Sequence, residues 1–211
     1  MKISFFAKAL IICFLFSFGC IAKKNNESSL KSAQLCQDAF IADIPKKYKC
    51  DNYEVNHGAA LLIVQKLEKA GLLKDIEAVV IAGDRGNLVG TLIYQKIREF
   101  REAIGLPCPK FCIIRSAEKE TPVKSAAYTS ITGGKKMLHL RPDQQARLKD
   151  LKVLLVDDVI STGGTIKALK SLVEGSCNCQ VLGYACIVAE GKDRSSFEGK
   201  PLFRLISVPF F

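Results

Sequence analysis

A chain of 211 residues, of which 48% are hydrophobic, can bury one well-formed core but is too short for two large domains. Its formal net charge of +10, from 31 Lys and Arg against 21 Asp and Glu, favours acidic partners such as polyphosphates. The lysines are scattered and form no basic arm with interleaved aromatic residues, so we expect no binding to nucleic acid.

The N-terminal residues 1–22 are mostly apolar but are interrupted by Lys8. Their small-residue end resembles a secretory signal, with Cys20 as a candidate lipid-bearing residue. Ser17 and Phe18 depart from the usual lipoprotein pattern, and the apolar run has only marginal length for a membrane span. A signal peptide, a membrane anchor and a start assigned too far upstream therefore stay open, and the localisation stays open with them.

Residues 23–32 are polar and lack a periodic apolar face, so they are interpreted as a linker. The folded domain is predicted to span residues 33–211. In chain order we predict a helix over residues 57–70, a strand over 78–82, a helix over 88–100, strands over 111–114, 126–131 and 136–140, a helix over 143–148, a strand over 152–156, a helix over 165–174, and strands over 181–188 and 203–207. Helices that alternate with short, fully apolar strands indicate a parallel sheet covered on both faces, which is the α/β class.

The segment 116–140 interrupts this alternation. Its two β-like runs flank Gly133-Gly134, a pair that suits a hairpin turn with positive φ. Pro142 fits the first turn of the short helix that follows. We therefore predict a β-hairpin between the second strand and this helix.

The nine cysteines are odd in number and include no C-x-x-C pair, which argues against a zinc site. Cys186 lies in an apolar run and is predicted to be a small core residue. We expect reduced structural thiols and no metal ion bound directly by side chains.

The most informative segment is residues 154–165, LLVDDVISTGGT, at a strand-to-helix junction. Asp157 and Asp158 suit the vicinal hydroxyls of a ribose, because carboxylates accept hydrogen bonds. The glycines let successive backbone N–H groups and the helix dipole point at a phosphate, and the hydroxyls add donors. A Walker A loop is excluded because the G-x-x-x-x-G-K-[ST] pattern is absent. The segment therefore predicts a sugar-phosphate site.

Together with the preceding Val153, this segment resembles the 5-phosphoribosyl-1-pyrophosphate (PRPP) motif of type I phosphoribosyltransferases: four apolar residues, two acids, two apolar residues and a Ser/Thr-Gly-Gly-Thr loop. The resemblance implies a central parallel sheet with helices on both faces, a small hood and a β-hairpin lid. It implies that the catalytic residues Asp157 and Asp158 bind the ribose hydroxyls. The implied PRPP-binding residues of the same segment are Val159, Ser161, Thr162, Gly163, Gly164 and Thr165.

Two further regions are similar to pyrophosphate contacts of this family. Gly83-Asp84-Arg85-Gly86 resembles its pyrophosphate loop, and Arg85 matches the arginine of the adenine-type A-R-G signature. Gly83 and Asp84 do not match that signature, and Asn87 stands where the adenine enzymes have an aromatic residue. Arg115 resembles a further contact. The resemblance implies that Asp84, Arg85, Gly86 and Arg115 bind PRPP.

Base contacts are implied by a partial likeness to xanthine phosphoribosyltransferases. Val55-Asn56-His57 resembles their Leu-Asn-His, whose asparagine contacts the base, although Asn56 could equally cap the following helix. Lys192 follows Val188-Ala189-Glu190 and corresponds, with the register off by one, to a lysine that reads a 6-oxo group. Residues 127–132 are similar to the loop of the same enzymes, so the hairpin is expected to be a lid, with an ordinary exposed hairpin as the alternative.

The resemblance implies a purine phosphoribosyltransferase of purine salvage, which transfers the 5-phosphoribosyl group of PRPP to a purine base and releases pyrophosphate. Mg²⁺, bound mainly through PRPP, is the implied cofactor, and we expect a homodimer. The alternative is a non-catalytic, PRPP-binding regulatory protein, but residues 23–56 are too short for the DNA-binding domain that such proteins usually carry. A third interpretation, a membrane-associated protein that binds another nucleotide, rests on residues 1–22 alone. The sequence leaves the identity of the base open.

Overall fold

The computed structural model describes residues 53–83, 86–116, 121–129, 134–191 and 195–208. The helices in these ranges are α1 (Tyr53–Lys69), α2 (Asn87–Ala103), α3 (Pro142–Leu148) and α4 (Gly164–Cys177). The strands are β1 (Ala78–Ala82), β2 (Lys110–Ile114), β3 (Lys124–Thr129), β4 (Lys135–Leu140), β5 (Lys152–Val156), β6 (Val159–Ile160), β7 (Gln180–Glu190), β8 (Ser196–Phe197) and β9 (Lys200–Val208). The two-residue strands β6 and β8 were not predicted, because two residues are too few to show the alternation of apolar and polar side chains that indicates a strand.

The main sheet has the strand order β2-β1-β5-β7-β9-β8, and β6 pairs with β7. All of its pairs are parallel except β8 with β9. Strands β3 and β4 form a separate antiparallel hairpin, in which Thr129 pairs with Lys135. The predicted α/β class and the predicted hairpin are both confirmed.

The sheet is covered on both faces because successive side chains of each strand point in opposite directions. In β1, Val79 and Ile81 pack with residues of α1 and α2. Val80, between them, packs instead with residues of α3, α4 and the β3–β4 hairpin. All five residues of β1 are buried. This double coverage explains why the strand is apolar at every position.

The parallel arrangement fixes where ligand-binding loops lie. The carboxyl ends of parallel strands meet at one edge of a sheet, and ligands of open α/β sheets bind outside that edge. Strand β1 ends at Ala82, directly before the predicted pyrophosphate loop, and β5 ends at Val156, directly before Asp157. Since β1 pairs with β5, the two loops leave neighbouring strands at the same edge.

The cysteines of the described residues are free thiols, and all except Cys108 are buried. Cys186 is fully buried in β7, so its predicted place in the core is confirmed. Burial raises the pKa of Cys112 to about 12, which keeps this thiol protonated at neutral pH.

The predicted signal or anchor segment, the linker and the start of the predicted domain lie outside the described residues. Among the helices that the structure describes, none combines the length and the apolar character needed to cross a membrane.

Candidate active site

The backbone of the two acids after β5 is held by β7. The N–H of Asp157 donates to the carbonyl of Ala185 at 3.1 Å. The carbonyl of Asp158 accepts the N–H groups of Ile187 at 3.0 Å and Val188 at 3.2 Å. Asp157 is 7% exposed and Asp158 is partly exposed. The acids are therefore fixed in the rigid part of the fold, with Asp158 the more accessible of the two.

The carboxyl groups of the pair lie in different environments. Oδ1 of Asp157 accepts the N–H of Asp158, and Oδ1 of Asp158 accepts the N–H of Val159, both at 2.9 Å. Burial, and next the neighbouring carboxyl of Asp158, raise the pKa of Asp157 well above its usual range. Strongly shifted acids in a cleft are typical of functional sites. The pair offers carboxyl oxygens as hydrogen-bond acceptors for ligand hydroxyls.

The phosphate loop, which we define as residues 161–165, leads into α4. Gly163 has φ 81° and ψ 14°, a left-handed conformation that favours glycine. No side chain caps the N-terminus of α4, and its first turn contains no acidic residue. The N–H groups of this turn lack intrahelical acceptors and carry the positive end of the helix dipole. This terminus is therefore suited to bind an anion, as the motif predicts.

A second open helix terminus follows β1. Gly86 precedes α2, no side chain caps this helix, and its first turn also lacks acidic residues. A Cβ atom at Gly86 would lie 3.2 Å from both the Cα of Asp157 and the N of Asp158. The φ of Gly86 is −72°, so the lack of space rather than the backbone conformation favours glycine here. The loop after β1 thus touches the backbone of the acid pair.

Replacement of Gly86 by Ala should lower the kcat of the PRPP reaction about tenfold, because the methyl group would displace the peptide that joins Asp157 and Asp158. Steady-state kinetics would measure the loss. Gly175→Ala in α4 is the matched control, since nothing lies within 4 Å of its added Cβ and alanine favours helix. The control should keep full activity, and a wild-type kcat for the Gly86 variant would contradict the contact.

Asn56 and Asn87 lie in the first turns of α1 and α2. Helix α1 begins at Tyr53, before the predicted start, so Asn56 is inside the helix and its interpretation as the cap is wrong. Asn56 is 2% exposed. The Oδ1 atom of Asn87 is buried and has no hydrogen-bond partner among the described residues. The contact between Asn56 and a base stays a prediction.

Arg115 lies directly beyond β2 and is exposed. Its carbonyl accepts the N–H of His139 at 3.0 Å, so the edge of the sheet meets the hairpin at this point. The predicted pyrophosphate contact of the Arg115 side chain stays a prediction. Asp84, Arg85 and Lys192 lie outside the described residues.

The hairpin reaches the phosphate loop. A Cβ atom at Gly164 would lie 3.0 Å from the carbonyl oxygen of Thr129, the last residue of β3. Residues 130–133, which include the predicted strand end at Ile131, lie outside the described residues. Thr129 therefore places the hairpin beside the end of the site that is suited to phosphate. Its function as a lid stays a prediction.

Phe197 is a neighbour of the phosphate loop that the sequence motifs did not indicate. It lies in β8 and is buried against Gly163. The only signal was a single aromatic residue in a short polar stretch, which does not distinguish a contact with a distant loop from ordinary core packing.

Comparisons with known proteins agree with this arrangement. The phosphoribosyl transferase domain family matches residues 62–205. An adenine phosphoribosyltransferase from Corynebacterium diphtheriae is 31% identical over 162 residues, which cover 75% of this chain and 82% of the relative. The chain belongs to the phosphoribosyl transferase family.

A solved structure also places the chain in the purine branch of the phosphoribosyl transferase family. The adenine phosphoribosyltransferase of Saccharomyces cerevisiae, crystallised with an imino-altritol bisphosphate and adenine, matches with a TM-score of 0.56 and 25% identity. The match covers 74% of this chain and 82% of the yeast chain. A relative from Prochlorococcus marinus, also named adenine phosphoribosyltransferase, is 27% identical over 61% of this chain and 66% of its own length. The predictions of a type I fold and of a phosphoribosyltransferase of the purine branch are thus confirmed.

Proposed function

We propose that this protein is an adenine phosphoribosyltransferase, which joins adenine to the ribosyl group of PRPP and releases pyrophosphate. The observation that carries the proposal is the pair Asp157 and Asp158 between two helix N-termini that have neither side-chain caps nor acidic first turns. The names of the relatives favour adenine over the other purines.

In this proposal, the 5′-phosphate binds at the N-terminus of α4 and the pyrophosphate group at that of α2. Asp157 and Asp158 accept hydrogen bonds from the ribose hydroxyls. N9 of the base then forms a bond to C1 with inversion and releases its proton to water, while the bond to the pyrophosphate oxygen breaks and its electron pair leaves with the pyrophosphate. The carboxyl oxygens of the acid pair stabilise the positive charge that develops on the ribose ring. Positioning and electrostatics supply the rate enhancement, and the protein forms no covalent bond.

The donor set near the acids fits Mg²⁺ that is held mainly by its substrate. Within the described residues, no group of three or more His, Cys, Asp or Glu side chains could hold a metal ion. Mg²⁺ commonly takes one or two carboxylates together with substrate phosphates, and Asp158 is the accessible carboxylate here. The ion would neutralise charge on the leaving pyrophosphate.

The decisive experiment is an assay of pyrophosphate release from PRPP with adenine, hypoxanthine, guanine and xanthine in turn. We expect release with adenine. If only another purine gives release, the protein is still a purine phosphoribosyltransferase, but adenine is not its base. PRPP binding without release for any base would instead favour the regulatory protein, because such a protein retains the site without turnover.

The homodimer and a membrane association through residues 1–22 are further proposals. Sedimentation of the purified protein would test the dimer. Cell fractionation of the full chain, with mass analysis of its N-terminus, would show whether Cys20 is cleaved and lipidated. Since PRPP is expected in the cytoplasm, export of the whole domain would argue against the proposed reaction.

A further inference from the structure

The turn between β8 and β9 lies beside α4. Strand β8 pairs antiparallel with β9, with Phe197 opposite Lys200, and Glu198 and Gly199 form the connecting turn. Both turn residues have positive φ, 48° and 74°. Asn-Gly is the favoured pair in such turns, so glutamate is held here against its backbone preference.

Glu198 in this turn forms ion pairs with α4. Its carboxylate lies 3.3 Å from Nζ of Lys167 and 4.0 Å from Nζ of Lys170, and both lysines belong to the first two turns of the helix. Lys167 and Glu198 are exposed and Lys170 is partly exposed, so each ion pair contributes little stability on its own. The two pairs link the turn that follows Phe197 to the start of α4.

The ring of Phe197 occupies the space beside Gly163. A Cβ atom at Gly163 would overlap Cζ of Phe197 and would lie 2.6 Å from Cε2. On another side, the ring meets Tyr184 edge-to-face, with centroids 5.3 Å apart and an interplanar angle of 88°. Tyr184 is fully buried in β7, and Phe197 is 6% exposed. Phe197 is therefore wedged between the rigid sheet and the phosphate loop.

We propose that Phe197 is a positioning residue for the 5′-phosphate. Its ring fills the volume next to Gly163 and confines this glycine to the left-handed conformation that aims the N–H groups of α4 at the ligand. A glycine without such a neighbour samples many conformations, and ordering them on binding weakens affinity. The inference rests on the proposed function, because it assigns the 5′-phosphate to this loop.

The test compares Phe197→Leu with the matched control Phe203→Leu in the full chain. Phe203 is likewise buried, 8% exposed, and packs on a glycine, with its Cε2 3.2 Å from the Cβ that Gly183 would carry. It belongs to the core on the other side of the sheet from Phe197. Calorimetry would measure the Kd of ribose 5-phosphate and of pyrophosphate, and steady-state kinetics with adenine would give KM and kcat.

Phe197→Leu should raise the Kd of ribose 5-phosphate about tenfold. This factor corresponds to the free-energy cost of ordering one loop residue when the ligand binds. Pyrophosphate affinity should stay within about twofold, because that group binds at the other helix terminus, and KM for PRPP should change more than kcat. Phe203→Leu should lower the Tm to a similar extent and leave both affinities unchanged. If Phe197→Leu does not fold, Phe197→Met, whose unbranched side chain adapts better to an irregular space, should likewise weaken ribose 5-phosphate binding and leave pyrophosphate binding unchanged.

Equal effects of the two leucine variants, or an unchanged affinity of Phe197→Leu for ribose 5-phosphate, would overturn the positioning role. Failure of the wild-type protein to bind ribose 5-phosphate would overturn it as well. Wild-type binding without turnover of PRPP with any purine would refute the proposed reaction, while the contrast between Phe197→Leu and Phe203→Leu would still support positioning of a phosphate.

Discussion

Replacement of Asp157 and Asp158 together by Asn should lower the turnover of PRPP by about four orders of magnitude. Each interaction with charge that develops in a transition state is worth about 10²-fold or more in rate. The amides can still accept the N–H groups of Asp158 and Val159, so the loop geometry is expected to persist. Steady-state kinetics with adenine would measure the loss.

Measurements of the free energy of unfolding would distinguish a loss of catalysis in these variants from misfolding. The folded-state pKa of Asp157 is raised above its unfolded value, so the free energy of unfolding falls as the pH rises between these two values. Asp157→Asn removes this dependence and should equal or exceed the wild type in stability at neutral pH. Asp143→Asn, an exposed acid on α3, is the control and should keep its turnover. Undiminished turnover in the double variant would refute the assignment of the acids.

Gly163→Ala should raise the KM for PRPP about 100-fold. Left-handed backbone costs an alanine about 1–2 kcal/mol, and overlap in a packed site costs about 1–3 kcal/mol. A displacement of the loop that relieves about 3 kcal/mol of strain corresponds to about 10²-fold in affinity. The new Cβ would collide with the Phe197 ring, so both costs apply at this position. Initial rates over a range of PRPP concentrations would give the KM.

Gly105→Ala separates the two costs of the Gly163 substitution. Gly105 has φ 76°, but nothing lies within 4 Å of the Cβ that it would gain. This control should lose about 1 kcal/mol of stability through its backbone alone and should retain the wild-type KM. If Gly163→Ala behaves in the same way, the contact with Phe197 does not constrain phosphate binding.

The features that the sequence predicted are those encoded in neighbouring residues. Strands β1 and β5 lie where predicted, because both are buried on two faces and are therefore apolar, except for the exposed Lys152 at the start of β5. The acid pair and the phosphate loop form one continuous segment, so their chemistry could be predicted from the sequence without knowledge of the fold. The start of α1 was placed too late, because the polar residues near Asn56 hide the first turn of the helix.

The contacts between distant segments were not predictable. Gly86 touches the backbone of Asp157, Gly164 approaches Thr129, and Phe197 packs on Gly163. In each pair at least one partner is a glycine, whose missing side chain leaves no hydrophobic pattern to detect. The packing of distant segments in the folded chain decides which group lies next to each glycine, and the sequence alone does not show this packing.

The two open helix termini lie at the same edge of the sheet, but their helices cover opposite faces, α2 on one and α4 on the other. The thickness and strand spacing of a rigid sheet therefore fix the distance between the two positively polarised ends. A ligand that engages both must carry anionic groups at two separate ends, as PRPP does on either side of its ribose. A nucleoside triphosphate carries all its phosphates in one chain, so we expect it to bind more weakly than PRPP. The spacing of the two helix termini would then discriminate between ligands by the separation of their charges, and competition between the two ligands for the purified protein would test this.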